Sequence, residues 1–196
     1  MKQVPGSIAA IFVLGLLAPN VSAADEARPR NAFNKRAYGH LKEIILKSAE
    51  KMSEADYAFK PVEGVRSFGQ VLGHVADSNN FFCTLARGEK YTSKNIEKTK
   101  TSKADLIPAL KEAFAFCDKT HEGMTDAVGA EMVTFMKEPL AKLDALTVNN
   151  MHTIEHYGNL VTYLRMKGHV PPSTENMQAP AANPTPSTKP TPSAYN

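Results

Sequence analysis

His152 and His156 are the residues whose type and spacing most directly suggest chemistry. They lie four apart in PLAKLDALTVNNMHTIEHYGNLVTYLRMKG, residues 139 to 168. Two imidazoles at i and i+4 leave one face of a helix and can hold a single cation. With His152 at zero and about 100° per residue, His156 falls near about +40°, Asn149 about +60°, Asn159 about −20° and Tyr163 about +20°. Ala145, Val148 and Leu160 border this stripe, so it is not simply a solvated face. Buried polar groups are costly unless something binds them, and a metal ion would do so. The alternative is a pair of exposed helix histidines. Glu155, about −60° from His152, is a candidate general base and equally reads as an exposed helix glutamate.

A third nitrogen ligand must come from another element. His74 points with an apolar stripe that includes Val71, Phe81 and Leu85. Alone it reads as a satisfied core histidine; opposite His152 and His156 it becomes the natural third ligand. Asp77, on the same side, is the expected carboxylate to fix its tautomer. His40 has no partner at i±4 and reads as a surface or packing residue. His121 falls at a helix C-terminus, where a cation would complement the dipole.

The elements that must position these residues read as four amphipathic helices. The first spans about Asn31 to Met52, with Phe33, Ala37, Leu41, Ile44, Ile45, Ser48 and Met52 as its apolar stripe. A connection with Pro61 and Gly64 follows, on which Tyr57, Phe59 and Val62 fold back against the bundle. The second helix opens on a capping box, Ser67 with Gln70, and runs to Ala86. Lys90 to Lys103 reads as a basic, solvated loop. The third helix covers Lys103 to His121, capped by Thr101 or Ser102, although Pro108 could delay its start. Residues 122 to 138 read as an irregular crossing in which MVTFM, residues 132 to 136, alternates too briefly for a strand. Pro139 suits the first position of the last helix, and Gly168 suits the residue past its end. That predicts a helix of about 29 residues, roughly 43 Å long, weakened only at Gly158, which would let a neighbour approach closely.

Neither end of the chain reads as fold. Residues 1 to 23 combine Lys2, an apolar core from Ile8 to Ala18 and the small residues Val21-Ser22-Ala23, the pattern of a secretory leader. An exported protein, periplasmic or secreted, is expected, with no membrane anchor once the leader is removed. Residues 24 to 30 form a linker, and residues 31 to 173 the folded unit. Seven of the thirteen prolines lie in 171 to 196, so residues 174 to 196 are expected to be a disordered Pro/Ser/Thr-rich tail. A formal charge of +3 without a basic cluster gives no argument for nucleic acid. Cys83 and Cys117 could form a disulfide in an oxidising compartment, or could be two small buried hydrophobes.

These residues together resemble a known family. SFGQVLGHVADSNNFFCTLARGE around His74, the histidine pair followed by Tyr157-Gly158-Asn159, and the closing YLRMKG with Pro171-Pro172 are similar to the DinB/YfiT-like superfamily across residues 31 to 173. The resemblance implies an all-α four-helix bundle, often a homodimer, with a site for a divalent metal, zinc or nickel, at His74, His152 and His156. Such a site reads as that of a metal-dependent hydrolase or transferase acting on an unknown small-molecule substrate; Asn149, Asn159 and Tyr163 could orient substrate or water, or could make interhelical hydrogen bonds. The alternative is a non-catalytic, stress-related module in which the metal is structural. Thiol-cofactor chemistry, found among relatives, fits an exported chain poorly. The letters His152-x-x-Glu155-His156 also spell an inverted zinc-peptidase motif. That reading fails, because such enzymes need a further downstream ligand and a larger scaffold than the residues remaining here.

Overall fold

The computed structural model describes residues 29 to 178. The expected leader of residues 1 to 23, most of the linker and residues 179 to 196 of the expected tail lie outside the described residues. Four long helices dominate: α1 (Arg30–Lys51), α2 (Phe68–Ala86), α4 (Lys103–Glu122) and α6 (Lys142–Met166). The short elements are α3 (Ile96–Thr99), α5 (Asp126–Gly129), the strands β1 (Met132–Phe135) and β2 (Glu138–Ala141), and α7 (Pro172–Gln178). In the bundle α2 packs against α4 and α6, and α1 closes the other side against the same two helices. Consecutive α1 and α2 are therefore diagonal, as the long connection between them anticipates.

Two of the long helices, α2 and α4, start where a side-chain cap dictates. The Gln70 N–H donates to Ser67 Oγ at 3.2 Å while Ser67 N–H donates to Gln70 Oε1 at 2.9 Å, a complete capping box for α2. Ser102 Oγ accepts from Asp105 N–H at 3.1 Å and starts α4 at Lys103. Pro108 does not delay that start, since it lies inside the helix near its beginning and removes only one intrahelical donor. The Lys103 ammonium donates to the carbonyls of Glu50 and Met52, both at 2.7 Å, closing the C-terminus of α1. The core joins Ile44, Ile45 and Met52 of α1 to Leu72 and Val75 of α2, Leu110 and Phe114 of α4, and Leu146, Leu160 and Leu164 of α6.

Several expectations fail in instructive ways. The last helix begins at Lys142, because Pro139 lies in a hairpin strand opposite Thr134. An edge strand tolerates a proline as well as a first helical turn does, so the residue alone did not discriminate. MVTFM supplies β1, whose alternation is short because its partner strand is equally short. Phe33 is 70% exposed rather than in the core stripe, and Val62 is also exposed. The expected tail contributes residues 174 to 178 to α7, tied down by Lys51 to Glu175 at 2.6 Å and by Ser173 N–H donating to Tyr157 Oη at 2.9 Å. His121 is not an exposed cation: it is buried and stacked on Tyr38 with ring centroids 4.1 Å apart. Burial pushes its pKa down to about 4, with the Lys35 charge acting the same way.

The cysteines are joined. Cys83 of α2 and Cys117 of α4 form a disulfide with Cα atoms 5.4 Å apart, both side chains fully buried. Among the described residues no helix is long and apolar enough to cross a membrane.

Candidate metal centre

The three histidines meet. His74 comes from the second turn of α2, and His152 and His156 from successive turns of α6 facing it. Their ligand nitrogens all lie within 4.8 Å of one another. His152 Nε2 is 3.0 Å from His74 Nε2 and 3.1 Å from His156 Nε2, with Ser78 Oγ at 3.5 Å. One ring nitrogen has either one proton or one lone pair, so hydrogen bonding cannot satisfy both imidazole contacts at once. A cation shared by three lone pairs can. Nitrogens this close together could be shared by one divalent ion held at about 2.1 Å from each. The residues present therefore fit a divalent metal.

Their protonation suits the same role. Burial pushes the His152 pKa down to about 4, aided by the neighbouring imidazoles and Arg66. His156 is lowered too, by burial first and then by His74 and Arg66, against the opposing charges of Glu155 and Glu97. Both are neutral near pH 7, with lone pairs available.

With Nε2 of each ring aimed inward, the proton belongs on Nδ1. His74 Nδ1–H donates to Glu97 Oε2 at 3.0 Å. Glu97 also accepts from Arg66 Nε–H at 2.8 Å. Burial alone would raise the Glu97 pKa, but the Arg66 guanidinium and His74 hold the carboxyl below its usual range. Arg66 lies 3.4 Å from His74 Nδ1, a donor facing a donor in this tautomer, so its pairing is with Glu97. The Asn159 amide is 3.4 Å from His156 Nδ1 and serves as acceptor when its oxygen is turned inward.

The expected carboxylate is the wrong one. Asp77 does not touch His74; its two oxygens accept from the N–H groups of Ile96 and Glu97, each at 3.0 Å, and so cap α3. Asp77 thereby positions Glu97, which sits in what read as a solvated loop, with Ile96 buried beside it. Gly73 makes this possible. A Cβ there would stand 2.7 Å from Glu97 Cα, so only glycine lets α3 lie against α2. The close approach assigned to Gly158 does not exist, since a Cβ at that exposed position meets nothing within 4 Å.

Of the remaining candidates, Tyr163 does not face the histidines; its hydroxyl donates to the Arg66 carbonyl at 2.9 Å and steadies the turn entering α2. Asn149 is fully buried and donates to Asn79 Oδ1 at 3.1 Å. Glu155 is exposed and makes no ion pair among the described residues. Beyond the histidines, Phe82 lies 6.3 Å from His152, and Phe135 of the hairpin packs on Phe81 and Phe82 at 6.1 and 5.8 Å. Glu97, Arg66 and Phe135 have no periodic signal in the sequence, because tertiary contact alone brings them to the site.

Fold and site together define a four-helix bundle with a three-histidine group between its second and last long helices. The DinB superfamily profile matches residues 40 to 160, and the chain belongs to that superfamily. A DinB-like protein from Bacillus cereus is similar with 16% identity and a TM-score of 0.62, over 71% of this chain and 93% of that one. A second, from Bacillus subtilis, has 23% identity and a TM-score of 0.56, over 69% and 94%. A mutant of a mycothiol-dependent maleylpyruvate isomerase has 11% identity and a TM-score of 0.55, over 68% and 65%. No curated protein matches the chain.

Proposed function

We propose that the chain is a mononuclear metalloprotein whose ligands are His74, His152 and His156, working as a metal-dependent hydrolase or transferase on a small molecule. The observation that carries this is the convergence of three imidazole nitrogens around His152 Nε2, at separations that hydrogen bonds cannot all satisfy. Three neutral nitrogen ligands suit zinc or nickel. When bound, such an ion supplies a Lewis acid and lowers the pKa of a water or thiol placed beside it.

The chain's own residues do the rest. Glu97 and Arg66 hold His74 in its tautomer, and the Asn159 amide does the same for His156 once its oxygen is turned inward. Glu97 is committed to these two contacts. That leaves Glu155, exposed and one residue from His156, as the carboxylate at the rim able to accept a proton. Phe82 and Phe135 shield the site on one side. The hydrophobic core already joins α2 to α6, so the bundle has no need of a metal staple, which favours the enzyme over the structural module.

The leader pattern and the buried Cys83–Cys117 disulfide support export to an oxidising compartment, periplasmic or extracellular. Small-molecule thiols are scarce there, so hydrolysis is favoured over thiol transfer, although the isomerase shares the fold. Two copies are proposed to pair through the groove between α1 and α6, about 1270 Å³, where Phe33, Met151 and Ile154 stand exposed.

Metal analysis of protein purified without a histidine tag tests the centre. Stoichiometric zinc or nickel is expected, lost in His74→Ala and His152→Ala; metal retained in both variants overturns the ligand set. A panel of esters, amides and thiol-transfer substrates, assayed with metal removed and restored, tests the activity. Turnover that needs the metal and falls in Glu155→Gln supports the mechanism, whereas no metal-dependent turnover leaves the structural module.

A further inference from the structure

Metal-ligating histidines nearly always donate their second ring N–H to an acceptor, which fixes the ring and strengthens the ligand. At this centre His74 has Glu97, and His156 Nδ1 has the Asn159 amide at 3.4 Å, an acceptor once its oxygen is turned inward. His152 has no such partner: its Nδ1 is buried and unbonded. Among the described residues the buried side-chain atoms without a hydrogen bond are His152 Nδ1, Asn149 Oδ1 and His121 Nε2. The first two lie three residues apart on α6, while His121 belongs to the cluster around Tyr38.

The pair is complementary in kind. With His152 Nε2 directed at the other imidazoles, Nδ1 must hold the proton and can only donate. Asn149 is 0% exposed, and its amide nitrogen is already used on Asn79 Oδ1, which orients the side chain and leaves Oδ1 able only to accept. Asn79 is in turn anchored by its own amide to the Val75 carbonyl at 2.8 Å. Helical side chains lean toward the N-terminus, so the His152 ring lies over the turn that contains Asn149. Residues at i and i+3 are neighbours, with Cβ atoms about 5 to 6 Å apart, a span that a small side-chain rotation or one buried water can close.

We infer that Asn149 is the positioning residue for His152, its Oδ1 accepting the Nδ1 proton directly or through one water when the centre is loaded. The inference rests on the metal reading above. It assigns the Asn79–Asn149 pair a purpose beyond packing: a chain of amides running from the backbone of α2 to a ligand on α6.

Zinc affinity of the full chain, measured by competition with a chromogenic chelator, tests this with three variants. Asn149→Leu is expected to weaken zinc about 10- to 100-fold, the usual effect of removing such a partner. Asn79→Leu, which breaks the same amide pair but keeps Asn149 Oδ1, is expected to weaken zinc by clearly less than Asn149→Leu. Asn149→Asp, which keeps an acceptor for Nδ1, is expected to recover most of the affinity that Asn149→Leu loses. Equal losses in Asn149→Leu and Asn79→Leu, or an Asn149→Asp loss as large as that of Asn149→Leu, would show a merely structural role and overturn the inference. Unmutated protein that binds no zinc overturns the metal reading itself, and is seen before any variant is made. Should Asn149→Leu not fold, nitrogen-15 spectra of the zinc-loaded unmutated protein decide: a protected His152 Nδ1 proton supports the assignment, and an unprotonated Nδ1 refutes it.

Discussion

Replacing Gly73 by alanine should damage the metal centre although residue 73 touches no ligand nitrogen. A Cβ at this position would lie 2.7 Å from Glu97 Cα, 3.0 Å from Glu97 N and 3.3 Å from the Ile96 carbonyl carbon. Carbon atoms pack best at about 3.5 to 4.0 Å, so α3 must retreat by about 1 Å. Backbone is what obstructs, so no side-chain rotation relieves the contact. The retreat stretches the two 3.0 Å bonds that the Ile96 and Glu97 N–H groups donate to Asp77, and the 3.0 Å bond from His74 to Glu97, beyond useful hydrogen-bond range. Overpacking costs about 1 to 3 kcal/mol, offset by about 0.5 to 1 kcal/mol from replacing a helical glycine. The metal-free protein should therefore lose about 1 to 2 kcal/mol in urea unfolding.

The separate consequence is for binding. Without Glu97 on its Nδ1, His74 should bind metal about 10- to 100-fold more weakly. Gly158→Ala is the matched control, because its Cβ meets nothing and the site is exposed on α6. That variant should gain about 0.5 to 1 kcal/mol and keep its affinity. Urea melts of the metal-free variants and chelator competition on the same samples give both quantities. A Gly73→Ala protein as stable as its parent would refute the packing step. One that is destabilised but binds metal as tightly as its parent would refute the link from Glu97 to His74.

Three further outcomes follow from features outside the centre. Replacing Cys83 and Cys117 together by alanine opens a cross-link between residues 34 apart, and should cost about 4 kcal/mol in calorimetry under oxidising conditions, with only the smaller cost of two core truncations left once reductant has opened the parent's disulfide. His121 has a folded pKa of about 4, below its unfolded value, so its contribution is present above the unfolded pKa and is lost as pH falls toward the folded one. Between pH 7 and pH 5 that loss is about 2 kcal/mol; His121→Phe, measured in metal-free protein, should flatten the acid side of the urea-midpoint profile, and an unchanged slope would contradict the burial argument. If copies pair on the α1–α6 face, Phe33→Glu and Ile154→Glu should each convert a dimer to a monomer in light scattering without changing metal content.

Helix periodicity and capping residues were legible because they act locally. Ser67 with Gln70, Ser102 with Asp105, and the glycines ending α2 and α6 fix chain direction within a few residues, so the four helices emerge from sequence. His74, His152 and His156 were legible because identity and spacing survive without knowledge of packing. What sequence missed was non-local. Asp77 was rightly placed near His74, but a carboxylate there has two competing partners, and the free N–H groups of α3 took it. Pro139 fits both helix start and edge strand, and only the partner strand decides between them. His121 looked exposed at a helix end until Tyr38 of α1 covered it.

The two glycines show why the same letter misleads. Gly158, between Tyr157 and Asn159 in the last helix, reads in the sequence as the point of close approach, yet its neighbourhood is solvent. Gly73, immediately before His74, attracted no notice, because an apolar helix with one glycine carries no mark of what lies across from it. Its partner is the backbone of a four-residue helix inside a basic stretch that read as loop. The third ligand to the HxxEH pair is thus His74 on α2, upstream of those letters, and it brings its own carboxylate partner. That partner comes from α3, through Gly73, and Glu155 is left free at the rim. A chain that kept all three histidines but lost Gly73 would keep the spelling of the site and weaken its grip on the metal.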